Sequence, residues 1–113
     1  MQIFAMSELV ERRHLAGGPW LEFFRVPAMS LGIYVLRPGE EDLQTPHAED
    51  EIYHVLAGEA RFQCGDGDRP VREGDVIFVE ARARHRFHSV TRELTLLVFF
   101  APAEDAEAAS ALR

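Results

Sequence analysis

The feature that most constrains the fold of this chain is a series of short segments rich in aromatic and β-branched residues, nearly all separated by turn residues. Such segments at close spacing, with no long helical stretch between them, are typical of a β-sandwich or β-barrel. The sequence therefore predicts an all-β domain. Its predicted strands are 20–26, 30–36, 51–56, 60–64, 75–79, 85–90 and 94–100, with bends at 37–39, 57–59, 65–68 and 73–75.

The length of the chain, 113 residues, fits one compact domain, because a second core would have too little chain left to build it. We expect 20–101 to form the barrel, with 1–19 as an N-terminal accessory segment and 102–113 as a tail. In the accessory segment, Ser7 predicts the N-cap of a short helix over 9–14, which a Gly-Gly-Pro cluster ends. The tail has a helical composition but few large apolar residues, so we assign it no function.

The composition argues against two classes of partner. The formal net charge is −7, from 12 basic and 19 acidic residues, so the chain lacks the basic surface that binding to nucleic acid requires. Its longest apolar run is far shorter than the roughly 20 residues that cross a bilayer. Cys64 is the single cysteine and cannot form an intrachain disulfide. We expect a cytoplasmic protein that binds a small molecule, with no nucleic acid or membrane partner.

A few polar residues share a face of the predicted strands. Side chains alternate between the two faces of a strand, so His47, Glu51 and Tyr53 have the same parity, as do His85 and Phe87. Two imidazoles and one carboxylate suit iron(II), manganese, nickel, zinc or cobalt, and with open positions they are the ligand set of non-haem iron oxygenases. The spacing alone is a weak signal for a metal site.

The frame around these residues resembles the first motif of the cupin superfamily. That motif has a glycine, a His-x-His pair, a glutamate after a short gap and a second glycine after six more residues. Here Gly39, His47, Glu51 and Gly58 stand at the matching places, and six residues separate Glu51 from Gly58. Thr45 occupies the place of the first histidine.

The second cupin motif is matched less completely. It has a glycine, a proline, another glycine and a histidine, then an asparagine; this chain has Gly74, Glu80, Arg82, His85 and Ser89 at those places. Only the first glycine and the histidine are kept. The resemblance covers about residues 34–100 and implies a small single-domain cupin, a double-stranded β-helix or jelly-roll barrel.

The resemblance implies that His47, Glu51 and His85 bind one divalent metal ion, with iron(II) as the first expectation. The missing first histidine leaves its position to water, to Gln44 or to no ligand. Gln44, Thr45, Tyr53 and Phe87 are the further candidates for the pocket, and no catalytic residue is assigned. The alternative is a hydrogen-bonded polar cluster without metal. His54 has the opposite parity and is expected to be a packed or interface histidine.

We expect a metal-dependent enzyme of the oxygenase or dioxygenase type acting on a small organic substrate. The same barrel serves other purposes in cupins, so a non-catalytic module that binds a sugar or an organic acid, and a metal-dependent isomerase, remain open. Arg82, Arg84, Arg86 and Arg92 would suit an anionic substrate, but their parity favours the outer face for most of them. Large apolar residues at both parities of strands 20–26 and 94–100 predict that both faces are covered. We expect a second copy in a homodimer to supply this cover, and the alternative is the N-terminal helix.

Overall fold

The computed structural model describes residues 1–44 and 46–105, and within these it confirms an all-β domain with one N-terminal helix. The helix precedes six strands that form an antiparallel sheet in the order β1-β2-β6-β3-β4, with β5 paired to β3. The elements are α1 (Met6–Ala16), β1 (Trp20–Val26), β2 (Met29–Leu36), β3 (Asp50–Cys64), β4 (Gly67–Arg72), β5 (Val76–Val79) and β6 (His85–Ala101). The helix is neither long nor apolar enough to cross a membrane.

The central strands β3 and β6 are each longer than the sequence predicts. Segments 51–56 and 60–64 join into one strand of 15 residues, and 85–90 and 94–100 join into one of 17 residues. The bend between the halves of β3 is real, because Gly58 has φ 101° and an added Cβ there would lie 2.3 Å from the carbonyl oxygen of Glu93. The glycine thus lets β3 pass close to β6 and turn without ending.

Two expectations about local structure are wrong. Strand β4 begins at Gly67, inside the predicted bend 65–68, and it was missed because its glycine, proline and charged residues have low strand propensity. Helix α1 begins before Ser7, and its N-cap is Ala5, whose side chain makes no capping hydrogen bond. Its end is as expected, since Gly17 adopts the left-handed conformation that closes a helix.

The core lies inside the barrel, between the inward-facing residues of the curved sheet. Tyr53, Phe87, Leu94, Leu96 and Phe100 are fully buried there with eight smaller or less buried neighbours. The outer face has its own small cluster. It consists of Leu9 from α1 packed against Ile33 and Val35 of β2, with Met6, Phe23, Leu56 and Leu97 around them.

Helix α1 therefore covers one part of the outer face, as the second of our two alternatives predicts. A different part stays open: Val76 and Phe78 of β5 are 66% and 64% exposed, and Ile52 of β3 is 38% exposed.

The tail cannot be fully compared with its prediction, because residues 106–113 lie outside the described part of the chain. Residues 102–105 are not helical. They turn back towards the barrel after the end of β6, where the amide of Ala103 donates to the carbonyl of Pro27 at 3.3 Å.

Candidate metal centre

The structure brings together the three residues that the sequence predicts as metal ligands. Nε2 of His85 lies 2.9 Å from Oε1 of Glu51, and Nε2 of His47 lies 3.9 Å from the same oxygen. All three side chains are buried inside the barrel, at 5%, 1% and 8% exposure for His47, Glu51 and His85. The ligand atoms of the three residues lie within 4.8 Å of one another, close enough to bind one ion.

Glu51 and His85 are placed by the two central strands. Glu51 lies near the start of β3, between Val79 of β5 and Phe100 of β6. His85 is the first residue of β6, opposite the last residue of β3, and the curvature of the sheet brings it over the interior. The alternation of inward and outward residues therefore directs both side chains into the barrel.

The ring of His85 has one nitrogen fixed by the backbone. Nδ1 is 2.9 Å from the carbonyl oxygen of Ala83, which can only accept, so Nδ1 carries the proton. The other nitrogen, Nε2, faces Glu51 and the hydroxyl of Tyr53. A histidine held in this way presents its Nε2 lone pair to a metal ion.

The protonation of His85 reflects two opposing effects. Burial lowers the pKa of the imidazole, but the nearby carboxylate of Glu51, 2.9 Å away, outweighs burial and leaves the pKa raised. Without a metal ion, a proton shared by Glu51 and His85 would balance the charge of the buried carboxylate.

His47 precedes β3, in a loop whose conformation depends on two anchors. Its carbonyl oxygen accepts a hydrogen bond of 2.6 Å from the amide of Arg82, which ties this loop to the turn before His85. The second anchor is Asp42, which accepts hydrogen bonds from the Tyr34 hydroxyl at 2.8 Å and the Phe87 amide at 2.9 Å. These bonds hold the loop against the turn before His85 and against strands β2 and β6.

Gln44 and Tyr53 complete the polar lining. Oε1 of Gln44 lies 3.2 Å from Nε2 of His47 and accepts a hydrogen bond of 3.0 Å from the Tyr53 hydroxyl. The amide nitrogen of Gln44 donates to Asp42 at 3.1 Å, which turns its oxygen towards the ligands. Burial, with the nearby charges of Glu51 and Asp42, raises the pKa of Tyr53 well above its usual value, so the phenol stays protonated.

The environment of Glu51 tests whether these residues fit a metal ion. Neither carboxylate oxygen makes a hydrogen bond of good geometry with any described residue, although the side chain is almost completely buried. A buried carboxylate without hydrogen bonds is costly unless it is paired or binds a cation. The imidazoles of His47 and His85 balance the charge of Glu51 only when they are protonated, and a divalent cation would balance it with both rings neutral, so the three side chains fit such an ion.

The other predicted residues have different places. Phe87 packs against Tyr53 and Phe62, with ring centroids 4.9 and 4.7 Å apart, and so fills the core next to the site. Thr45 lies outside the described residues. His54 faces outward and is half-buried, away from the ligands, as its parity predicts.

A cavity of about 550 Å³ opens beside His85, and Gln44 also lines it. Arg84 and Arg86 also line the opening of this cavity. Both are exposed and alternate with the buried His85 and Phe87, as their parity predicts. The cavity has mixed charge, since Asp42 and Asp66 lie on it as well.

Two buried acids lie near His47, and the sequence predicts neither of them as a metal ligand. Glu104, in the tail to which we assign no function, is 1% exposed, and its Oε2 lies 3.4 Å from Nδ1 of His47. Glu49 is 8% exposed, and burial raises the pKa of its carboxyl group. Strand parity could have placed Glu49 with His47 and Glu51, but no sequence pattern connects Glu104 with the site.

The fold and this constellation define a class of protein. Residues 32–101 match the family model of the cupin domain, and the chain belongs to the cupin family. The described architecture is that of the cupin double-stranded β-helix, as the sequence predicts.

Particular relatives are similar over different shares of the chain. An uncharacterized protein of Streptomyces coelicolor is 39% identical over 104 residues, which cover 92% of this chain and 99% of that protein. The DMSP lyase DddQ from Ruegeria pomeroyi aligns with a TM-score of 0.63 at 26% identity, covering 67% of this chain but only 39% of the lyase. A Cupin 2 conserved barrel domain protein from Salinispora arenicola aligns with a TM-score of 0.65 at 19% identity, covering 82% and 80% of the two chains.

Proposed function

We propose that this chain is a metal-dependent cupin enzyme of the oxygenase type, in which His47, Glu51 and His85 bind one divalent cation, with iron(II) as the first candidate. The observation that supports it best is the buried carboxylate of Glu51, which has no hydrogen bond of good geometry among the described residues and faces two imidazole nitrogens. Two histidines and one carboxylate leave other positions of the ion open.

His47, Glu51 and His85 would hold the cation, which would supply Lewis-acid chemistry and open positions for a small organic substrate and dioxygen. The protein's own residues prepare the position. Gln44 offers an amide oxygen 3.2 Å from His47, which makes it the candidate for a fourth ligand in place of the missing histidine. The cavity beside His85 admits the substrate, and the aromatic core behind Tyr53 excludes water from the opposite side.

A second candidate is metal-assisted lyase or isomerase chemistry without dioxygen. The position of Tyr53 favours it, because a protonated phenol 3.1 Å from Nε2 of His85 can donate a proton to a substrate held beside the ligands. The similarity to a DMSP lyase agrees with this candidate, although that alignment covers 39% of the lyase. In a third alternative, a non-catalytic binding protein, the same residues would only orient a bound ligand.

The first experiment is elemental analysis of protein purified without a tag or chelator. We expect about one equivalent of a divalent metal in the wild type, and a loss of most of it in His47→Ala and His85→Ala. His54→Ala is the matched control, because His54 faces away from the ligands and should leave the metal content unchanged. A His85→Ala variant that keeps its full metal content would contradict the three-ligand site.

The reaction class is then tested with the metal-loaded protein. Substrate-dependent oxygen consumption against small acids, thiols and diketones supports the oxygenase. Turnover of a substrate without oxygen consumption supports the lyase or isomerase, and in that case Tyr53→Phe should lower kcat while leaving the metal content unchanged. Binding without turnover leaves the non-catalytic alternative.

A further inference from the structure

Glu104 is a buried acid that the proposed ligand set does not use. It lies in the segment after β6, outside the barrel strands, yet its side chain is only 1% exposed. Its carboxylate reaches the side of His47 that faces away from Glu51, with Oε2 3.4 Å from Nδ1. The imidazole of His47 therefore stands between two carboxylates, one beside each ring nitrogen.

The backbone of Glu104 is hydrogen-bonded to strands β1 and β2. Its amide donates a hydrogen bond of 2.8 Å to Oγ of Ser30, which is fully buried in β2. Its carbonyl oxygen accepts a hydrogen bond from the guanidinium of Arg25 in β1. These bonds hold the backbone of Glu104 against β1 and β2, with its carboxylate beside Nδ1 of His47.

The two ring nitrogens of His47 have different neighbours that favour different tautomers. On the Nε2 side, Oε1 of Gln44 at 3.2 Å would accept a proton and so hold the ring in a form that cannot bind a cation there. On the Nδ1 side, the carboxylate of Glu104 accepts a proton more strongly than a neutral amide oxygen does. A carboxylate behind a ligand histidine fixes both the orientation and the tautomer of its ring.

We infer that Glu104 is a positioning residue for His47: it accepts the Nδ1 proton and so leaves the Nε2 lone pair directed at the cation between Glu51 and His85. This inference rests on the proposed function, because it takes His47 as a ligand. It assigns a role to the start of the C-terminal tail, which the cupin motifs of this chain do not include.

A competing arrangement uses the same atoms differently. His47, Glu49 and Glu104 also offer ligand atoms within 4.8 Å of one another, so Glu104 would be a ligand of a second cation. The two arrangements differ in stoichiometry, since the positioning role requires one cation per chain and the second site requires two.

The experiment compares the full-length wild type with Glu104→Gln, using Zn²⁺ as the diamagnetic probe. The stoichiometry and Kd come from competition with a chromophoric chelator, and the ring nitrogens of His47 are observed by ¹⁵N NMR of histidine-labelled protein. We expect one equivalent of Zn²⁺ in both proteins, with a Kd about 10- to 100-fold weaker in Glu104→Gln. In the wild type, we expect His47 to have a protonated Nδ1 with Zn²⁺ on Nε2.

Glu93→Gln is the matched control, because it makes the same change at an exposed carboxylate distant from the cavity, and its Kd should equal that of the wild type. In metal-free protein, Glu104→Gln should shift His47 towards the Nε2-protonated tautomer, a change that a general loss of stability does not produce.

Three results would overturn the inference. They are an unchanged Kd and tautomer in Glu104→Gln, a wild-type His47 that binds Zn²⁺ through Nδ1, and two equivalents in the wild type that fall to one in Glu104→Gln. The first two are measured on folded protein, so a loss of folding in the variant cannot produce them.

Failure of the proposed function is a separate outcome. A wild type that binds no Zn²⁺ refutes the ligand set, while the tautomer of metal-free His47 still tests the role of Glu104.

Discussion

Arg82 contributes to the site through its backbone. Its φ is 67°, in the left-handed region, and its amide donates the 2.6 Å hydrogen bond that holds the loop of His47. The second cupin motif has a glycine at this place. This chain keeps the turn with an arginine, for which the left-handed conformation costs free energy. The side chain itself is exposed.

Arg82→Gly should therefore stabilise the protein. A left-handed conformation costs a residue other than glycine roughly 1–2 kcal/mol, and the greater backbone freedom of glycine in the unfolded chain takes back about half of this gain. We expect the free energy of unfolding in urea to rise by about 0.5–1 kcal/mol, with metal binding unchanged. Arg84→Gly is the control, because Arg84 is an exposed neighbour without a positive φ, and this variant should be less stable than the wild type. An equal loss in both variants would mean that Arg82 is not strained.

Individual ligands were predictable from the sequence because each stands at a fixed place in a motif. His47, Glu51 and His85 are such residues, and strand parity alone separates His54 from them. Asp42 and Glu104 could not be predicted, since their roles depend on where a loop and a tail return to the barrel. A buried acid in a short polar segment has the same local sequence as an exposed one.

At the scale of elements, one face of the sheet is left uncovered. The register places Phe78 and Phe99 on either side of Ile52, and Val76 beside His54, all on the outer face. None of these five positions has a carboxylate, in a chain with 19 acidic residues. Helix α1 covers the neighbouring part of this face, over Ile33 and Val35, and does not extend to β5.

We propose that a second copy of the chain covers this surface in a homodimer. The net charge of the chain is −7, so carboxylates of two identical molecules repel each other where they come close. At a patch without acidic residues, two copies can meet without this direct repulsion. Phe78→Glu should convert the dimer to a monomer, as measured by light scattering after size exclusion. Val26→Glu is the control, because Val26 is 39% exposed and lies on β1, at the other edge of the sheet. A monomeric wild type would refute the proposal.

The strand pattern was predictable where apolar residues alternate or cluster, as in β1 and β2. It failed at β4, where Gly67 and Pro70 belong to a strand only because β3 supplies a pairing partner. The prediction also divided β3 and β6 into two strands each at their bends, because local sequence does not distinguish a bend within a strand from a loop between two strands. Pairing between distant segments decided these cases.

At the scale of the whole molecule, folding and metal binding are coupled through Glu51. The folded chain buries this carboxylate without a well-formed hydrogen bond among the described residues, which costs free energy that a bound cation would recover. A ligand that binds only the folded state at 100 times its Kd adds about 2.7 kcal/mol of stability. For a domain of this size, that corresponds to a rise in Tm of about 10 °C or more.

Glu51→Gln separates this coupling from a purely structural role. In the presence of a chelator, the Tm of the variant should lie close to or below that of the wild type, because the amide removes the cost of burying a charge but also the pairing with His85. In saturating Zn²⁺, the wild type should gain the rise in Tm and the variant should gain almost nothing, so the difference in Tm between them should grow. Thermal unfolding under the two conditions measures both differences, with Glu93→Gln as the exposed control. If Glu51→Gln is instead destabilised equally with and without Zn²⁺, the carboxylate serves a polar cluster with His47 and His85, and the metal centre is wrong.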